Sequence, residues 1–189
     1  MDPKVSESSE NNPPNIPKYV GRLILIRGPS GVGKSTYAKY NGQKKQSEEN
    51  LTVAWHEADH FFIDQYGEYC FYPFLLPDAH LECQNNVEDA MKLKIKLILV
   101  SNTFCKYWEL RAYLQLANKY NYKVWIEDMY NDLKLSVDEL VKRSVHRVPR
   151  KIIQESIEKR DQIGSGWLCP EERGSLHQII LKSIKEMTK

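Results

Sequence analysis

The clearest apolar run in the chain is Leu23-Ile24-Leu25-Ile26, four residues with no polar break. A strand buried on both faces of a parallel sheet reads this way, whereas a half-exposed strand alternates. The run leads directly into a glycine-rich segment and then, from about Lys34, into a helix, so the expected order is strand, loop, helix. Residues 51–57 (LTVAWHE) predict a second strand and 93–100 (LKIKLILV) a third, apolar throughout its last half. Residues 77–92 read as a helix between them. Residues 113–120 (YLQLANKY) carry apolar positions at helical spacing, and 122–126 (YKVWI) return to strand character. Ser136-Val137-Asp138-Glu139 is a capping box, a hydroxyl three residues before a carboxylate, and opens a helix toward Ser144. Pro149 suits the first turn of a further helix reaching Lys159. Gly164-Ser165-Gly166 reads as a loop and residues 175–187 as a last amphipathic stretch. Strand and helix alternate, which predicts an α/β fold with a mainly parallel sheet.

The first 17 residues are polar and proline-containing, lack the apolar side chains that offset ordering entropy, and are expected to form a flexible tail. The domain is expected over residues 18–161, with 162–189 a C-terminal extension packing on it. A chain of 189 residues, 41% hydrophobic and 28% charged, suits one domain with its own core. The net charge of +2 gives no global field for a polyanion, so any such attraction must come from a local patch. Cys70, Cys83, Cys105 and Cys169 form no C-x-x-C pair and no zinc-ligand spacing with histidine, and read as reduced structural thiols. No apolar run approaches the ~20 residues of a membrane span, and the start has no signal-peptide core. A soluble protein of the cytoplasm or nucleus, not secreted and without a membrane partner, is expected.

Chemistry enters with Gly28-Pro29-Ser30-Gly31-Val32-Gly33-Lys34-Ser35, a complete G-x-x-x-x-G-K-S pattern followed by Thr36. Glycine backbones in such a loop turn several N–H groups inward around phosphates, and the following helix presents its positive end. Lys34 is then placed to reach the β- and γ-phosphates, and Ser35 to ligate Mg2+ beside ATP or another NTP. The loop alone does not separate kinases from ATPases or switch GTPases.

Ligands of open parallel sheets sit outside the carboxyl ends of the strands, so Asp59, just past the second strand, is a candidate general base for an attacking hydroxyl. Arg143 and Arg147 are four apart and, on a helix, project from one face toward one anion, with Arg150 and Lys151 following. Tyr66, Tyr69, Phe71, Tyr72 and Phe74 crowd the segment after Asp59 and read either as a stacking wall for an acceptor base or as a packed edge. His60, His80 and His146 lack partners at metal-ligand spacing.

Taken together, these residues resemble the P-loop polynucleotide 5'-hydroxyl kinases of phage and nucleic-acid repair and their small relatives. The match runs from about Arg22 to Asp161. It rests on the loop from Gly28 to Thr36, Ala58-Asp59-His60-Phe61, Ala79-His80 with Gln84, Asn102-Thr103, Trp108-Glu109, and Glu139-Leu140 through Arg143 and Arg147 to Val148-Pro149. The resemblance implies a three-layer αβα P-loop NTPase fold with a helical lid, and phosphoryl transfer from ATP to the 5' end of a nucleic acid. It also implies Asp59 as the base and Arg147 as the lid arginine on the nucleotide phosphates. Three positions depart from the pattern. Ser101 stands where relatives commonly carry an aspartate near the magnesium, Phe104 replaces a polar residue, and Phe62 replaces an arginine that grips an acceptor phosphate. Two other readings therefore stay open: a kinase of the same fold for a small hydroxylated acceptor or nucleotide, and a nucleotide-binding interaction module without transferase activity.

Overall fold

The fold is described from a computed structural model, in which residues 19–162 and 165–168 are described. The expected N-terminal tail and the stretch 175–187 lie outside them. Strand β1 (Gly21–Arg27) is followed by helix α1 (Lys34–Glu49), strand β2 (Val53–His56), a 3-10 turn at Ala58–Phe62 and helix α2 (Leu76–Lys92). Then come β3 (Leu97–Ser101), α3 (Tyr107–Lys119), β4 (Tyr122–Asp128), the short α4 (Met129–Leu133), α5 (Val137–Arg143), α6 (Arg150–Glu158) and β5 (Gly166–Leu168).

The five strands form one sheet in the order β2-β3-β1-β4-β5, with the first four parallel and β5 antiparallel to β4. The unbroken apolar runs are explained by burial on both faces. In β1 and β3, Leu23, Leu25, Ile98 and Val100 face a core shared with α2, α3 and β4. The alternate residues Ile26, Leu97 and Leu99 face a second core with Ala38 of α1, Leu140 of α5 and Ile153 of α6. Two cores either side of one sheet make three layers.

Several element ends differ from expectation for local reasons. Residues 93–96 do not join β3: Leu93 closes α2 and Lys94 has a φ of +57°, a turn that breaks the extended run. Helix α3 starts six residues before Tyr113, because the Glu109 carboxylate accepts the Lys106 N–H at 2.8 Å and Asp161 Oδ2 accepts the Tyr107 N–H at 2.8 Å. Gly166 belongs to a strand and not a loop: β5 pairs with β4, Trp167 packs edge-on against Trp125, and the Ser165 hydroxyl accepts the Asp128 N–H. The capping box is formed, with Glu139 N–H donating to Ser136 Oγ and Ser136 N–H to Glu139 Oε2. Among the described residues, no helix is long and apolar enough to cross a membrane.

Candidate active site

The site grows from the carboxyl ends of β1, β2 and β3. Parallel register sets Ile26 beside Ser101 and His56 beside Val100, so the chain leaves the three strands at one level. At that level Gly28, Gly31 and Gly33 take φ of +146°, +83° and +100°, conformations that a side chain disfavours. Helix α1 begins at Lys34 with no acidic residue in its first turn and no side-chain cap, leaving its N–H groups open to an anion. Gly31 has a second constraint: a Cβ there would lie 2.0 Å from the carbonyl oxygen of Leu140, so α5 rests directly on the loop. Ser30 and Ser144 hydroxyls, 3.1 Å apart, add a polar contact between the loop and the end of α5.

Arg27, the residue before the loop, is fully buried and anchors it. Its guanidinium donates to the carbonyls of Phe104 at 2.8 and 3.0 Å, Cys105 at 3.2 Å and Asp161 at 2.9 Å, and pairs with Asp128 at 3.1 Å. Asp128, wholly buried, also binds Arg160 and caps α4 through the Asn131 N–H.

A cavity of about 1180 Å³ opens over the strand ends, lined by the loop from Ser30 to Thr36 and by Asp59, Ser101, Asn102, Arg143 and His146. Asp59 is presented by the 3-10 turn, and that turn is tied down by Asn102, whose Oδ1 accepts the Ala58 N–H at 2.9 Å. Asp59 Oδ1 accepts the Tyr69 hydroxyl at 3.1 Å, and His146 Nε2 lies 3.9 Å from Oδ2. The Tyr69 and His146 rings stack at 3.8 Å, which closes the segment after the 3-10 turn onto the turn after α5. Burial, followed by the charge of Asp59, pushes the Tyr69 phenol up, so it stays a proton donor to the carboxylate. Burial pulls the Lys34 ammonium below its ordinary value, while the carboxylates of Asp59 and Glu57 pull it back up. Its Nζ donates to the Pro29 carbonyl at 3.1 Å.

Arg143 lines the cavity, but Arg143 and Arg147 do not share a helical face. Helix α5 ends at Arg143, Ser144 is extended, and Arg147 is an exposed turn residue with φ +51° outside the cavity wall. Of the aromatic segment, Tyr69 and Phe71 line the cavity, whereas Tyr66, Tyr72 and Phe74 face solvent. Phe62 is buried against Phe61, Tyr69 and Phe71, so no cation stands there. Phe104 is buried edge-on against Tyr113 with φ +45°, its carbonyl turned to Arg27.

One residue of the site escaped sequence reasoning. Glu57, at the end of β2 and only 8% exposed, accepts the Ser35 hydroxyl at 2.7 Å and the Ser101 hydroxyl at 2.6 Å through the same Oε2. The Ser101 oxygen in turn accepts Trp55 Nε1–H at 2.8 Å. No local sequence signal marks Glu57: the register of β2 with β3 brings position 57 beside 101 across 44 residues. Among the described residues no group of three or more His, Cys, Asp or Glu assembles into a metal centre. Mg2+ takes one or two protein oxygens and completes its shell with phosphates and water, and the Ser35 hydroxyl is an oxygen donor at the loop.

No family model matches the sequence. The chain is 33% identical over 141 residues to NEDD4-binding protein 2 of Homo sapiens, an alignment taking in 74% of this chain and 8% of that protein. Among solved structures it is similar to a chain of the Pnkp1/Rnl/Hen1 RNA repair complex at 21% identity and TM-score 0.59, over 80% of this chain and 46% of that one. A second structure of the Pnkp1/Rnl/Hen1 complex gives 23% identity and TM-score 0.52, over 68% and 40% of the two chains. The chain thus spans less than half the length of each of these relatives. The sheet order, the phosphate loop and these likenesses together establish a P-loop NTPase fold, three-layered αβα, with a mainly parallel sheet.

Proposed function

We propose that this protein transfers the γ-phosphoryl group of ATP to a hydroxyl, with the 5'-hydroxyl of a nucleic acid as acceptor. The observation that carries the reading is that Lys34 of the phosphate loop and a carboxylate held in place, Asp59, line one cavity. A hydrolase also aims its attacking water with such a group, so what favours a hydroxyl acceptor is the wall of Tyr69, Phe71 and His80 that lines the same cavity beside Asp59.

The loop N–H groups and the start of α1 bind the phosphates, and Lys34 leaves the Pro29 carbonyl to reach the β- and γ-oxygens. Ser35 would hold Mg2+, which when bound neutralises charge on those oxygens. Asp59 takes the proton of the attacking hydroxyl as its oxygen bonds to the γ-phosphorus, and the bond from that phosphorus to the bridging oxygen breaks to release ADP. The Tyr69 hydroxyl keeps the Asp59 carboxylate aimed, and His146 lies beside its other oxygen. Arg143 stabilises the transferring group from the cavity wall, and Arg147 is the lid arginine that joins it when the turn after α5 closes.

The likeness to part of an RNA repair complex agrees with a nucleic-acid acceptor. A small hydroxylated acceptor is the second reading. It is favoured by the acceptor-side wall of Asp59, Tyr69, Phe71, Leu76 and His80, where among the described residues no lysine or arginine stands to grip an acceptor phosphate.

The test is transfer of labelled γ-phosphate from ATP with Mg2+ to a 5'-hydroxyl oligonucleotide and, in parallel, to small alcohols and nucleosides. Asp59→Asn should lower kcat by roughly 10²–10⁴-fold, the usual contribution of a general base, while ATP still binds. Lys34→Ala should lose ATP binding and transfer together. Label on small acceptors but not on the oligonucleotide moves the assignment to the second reading, and ATP binding without transfer to anything removes the kinase.

A further inference from the structure

We propose that Glu57 is the metal-side acid of this phosphate loop, carried just past β2 instead of at the end of β3. The inference rests on the phosphate-transfer reading above. P-loop enzymes hold their magnesium between the loop's Ser or Thr hydroxyl and one acid from a neighbouring strand end. At the end of β3, where that acid is expected, stands Ser101, and this hydroxyl is already committed. Its proton goes to Glu57 and its oxygen accepts Trp55 Nε1–H. Ser101 therefore has no charge to offer a cation, and its role is to hold Glu57.

Glu57 meets the requirement in position, charge and donor type. Its Oε2 lies 2.7 Å from Ser35 Oγ. Neighbouring oxygens in an octahedral shell with metal–oxygen distances of 2.0–2.1 Å are about 3 Å apart, so the observed pair matches two adjacent ligand positions. By accepting the Ser35 proton, Glu57 also turns the serine lone pairs outward to the cavity. Asp59, the other carboxylate nearby, faces Tyr69 and His146 on the acceptor side, so the two acids divide the work: Glu57 under the nucleotide, Asp59 under the acceptor.

The serine follows from the glutamate. An aspartate at 101 would set two carboxylates within hydrogen-bond distance, and like charges that close oppose joint ionisation. A hydroxyl converts the repulsion into a 2.6 Å hydrogen bond. The acid and its neutral partner have exchanged strands, and the departure at Ser101 is compensated by Glu57.

The experiment measures Mn2+ binding, by the loss of the free-ion EPR signal, to the full chain saturated with the non-hydrolysable ATP analogue AMPPNP. AMPPNP binding in EDTA is measured alongside. Glu57→Gln, which keeps shape and removes charge, should weaken Mn2+ by roughly 10–100-fold and leave AMPPNP binding in EDTA intact. The double variant Glu57→Ser with Ser101→Asp, which returns the acid to β3, should recover most of the lost Mn2+ affinity. Unchanged Mn2+ affinity in Glu57→Gln overturns the proposal. So does a folded double variant that binds AMPPNP in EDTA but recovers no Mn2+ affinity. If the wild type binds no AMPPNP under either condition, the phosphate-loop reading falls, and this proposal falls with it.

Discussion

Helix α5 sits with its backbone on the phosphate loop, and a pair of glycine substitutions measures how firmly. Gly31 and Gly67 have nearly the same φ, +83° and +82°. They differ in surroundings: a Cβ at Gly31 falls 2.0 Å from the Leu140 carbonyl oxygen, whereas one at Gly67 has nothing within 4 Å. Gly67→Ala isolates the conformational cost, about 1–2 kcal/mol for a left-handed residue, offset in part by the lower entropy of the unfolded chain. Gly31→Ala carries that cost plus the overpacking against α5, typically a further ~1–3 kcal/mol. Leu140 is fully buried, so α5 cannot retreat by the ångström or so required without disturbing the core under it. For a domain of this size 1 kcal/mol moves Tm by about 2–4 °C, and Gly31→Ala should melt roughly 2–12 °C below Gly67→Ala. Differential scanning calorimetry of both variants and the wild type makes the comparison. The retreat of α5 also carries Arg143 away from the cavity, so Gly31→Ala should bind ATP more weakly while Gly67→Ala binds as wild type. Variants that melt together and bind ATP alike would show that α5 does not bear on the loop, and the account of the lid would fail with them.

The buried group formed by Arg27, Asp128 and Arg160 predicts a large stability effect away from the chemistry. Asp128→Ala leaves two buried guanidinium groups without their shared carboxylate and should cost about 3–5 kcal/mol in urea denaturation, where a loss under 1 kcal/mol would refute it. Stability should also depend on pH. Burial lowers the His80 imidazole, with Asp59 pulling the other way, and burial followed by His60 lowers His56. Both are depressed in the folded state, so the unfolded chain takes up protons first: stability is full above the unfolded value of about 6.5 and falls as the pH drops through it. The urea midpoint should therefore decline between about pH 7 and 5, and the double variant His56→Gln with His80→Gln should flatten the slope.

The readable parts of this fold were those whose cause is local. Leu23 to Ile26 announced a strand buried on both faces, the glycines announced the turn that follows, and Ser136 with Glu139 announced the start of α5. What stayed hidden depends on partners far along the chain. Helix α3 begins early because Asp161 caps Tyr107 from 54 residues away. Arg143 and Arg147 read as neighbours on a helix because nothing beside Arg143 announces that Ser144 turns extended. The site was half legible. Gly28 to Thr36 and Asp59 carry motif spacing, so their meeting in one cavity could be anticipated from strand polarity. Glu57 could not: its meaning lies in the register between β2 and β3, and a missing acid at 101 is visible in the sequence while its replacement on the next strand is not.

The antiparallel strand β5 has a consequence for the solution behaviour of the molecule. Four parallel strands would leave the outer side of β4 with a row of unpaired N–H and C=O groups, the kind of rim onto which another chain can add a strand. Residues Gly166–Leu168 cover it with three residues, held by the Trp125 and Trp167 rings and by Lys123 over the Trp167 ring. A family-based boundary at Asp161 would cut just ahead of this clip, producing a fragment that retains every proposed catalytic group yet is prone to self-association through its own sheet.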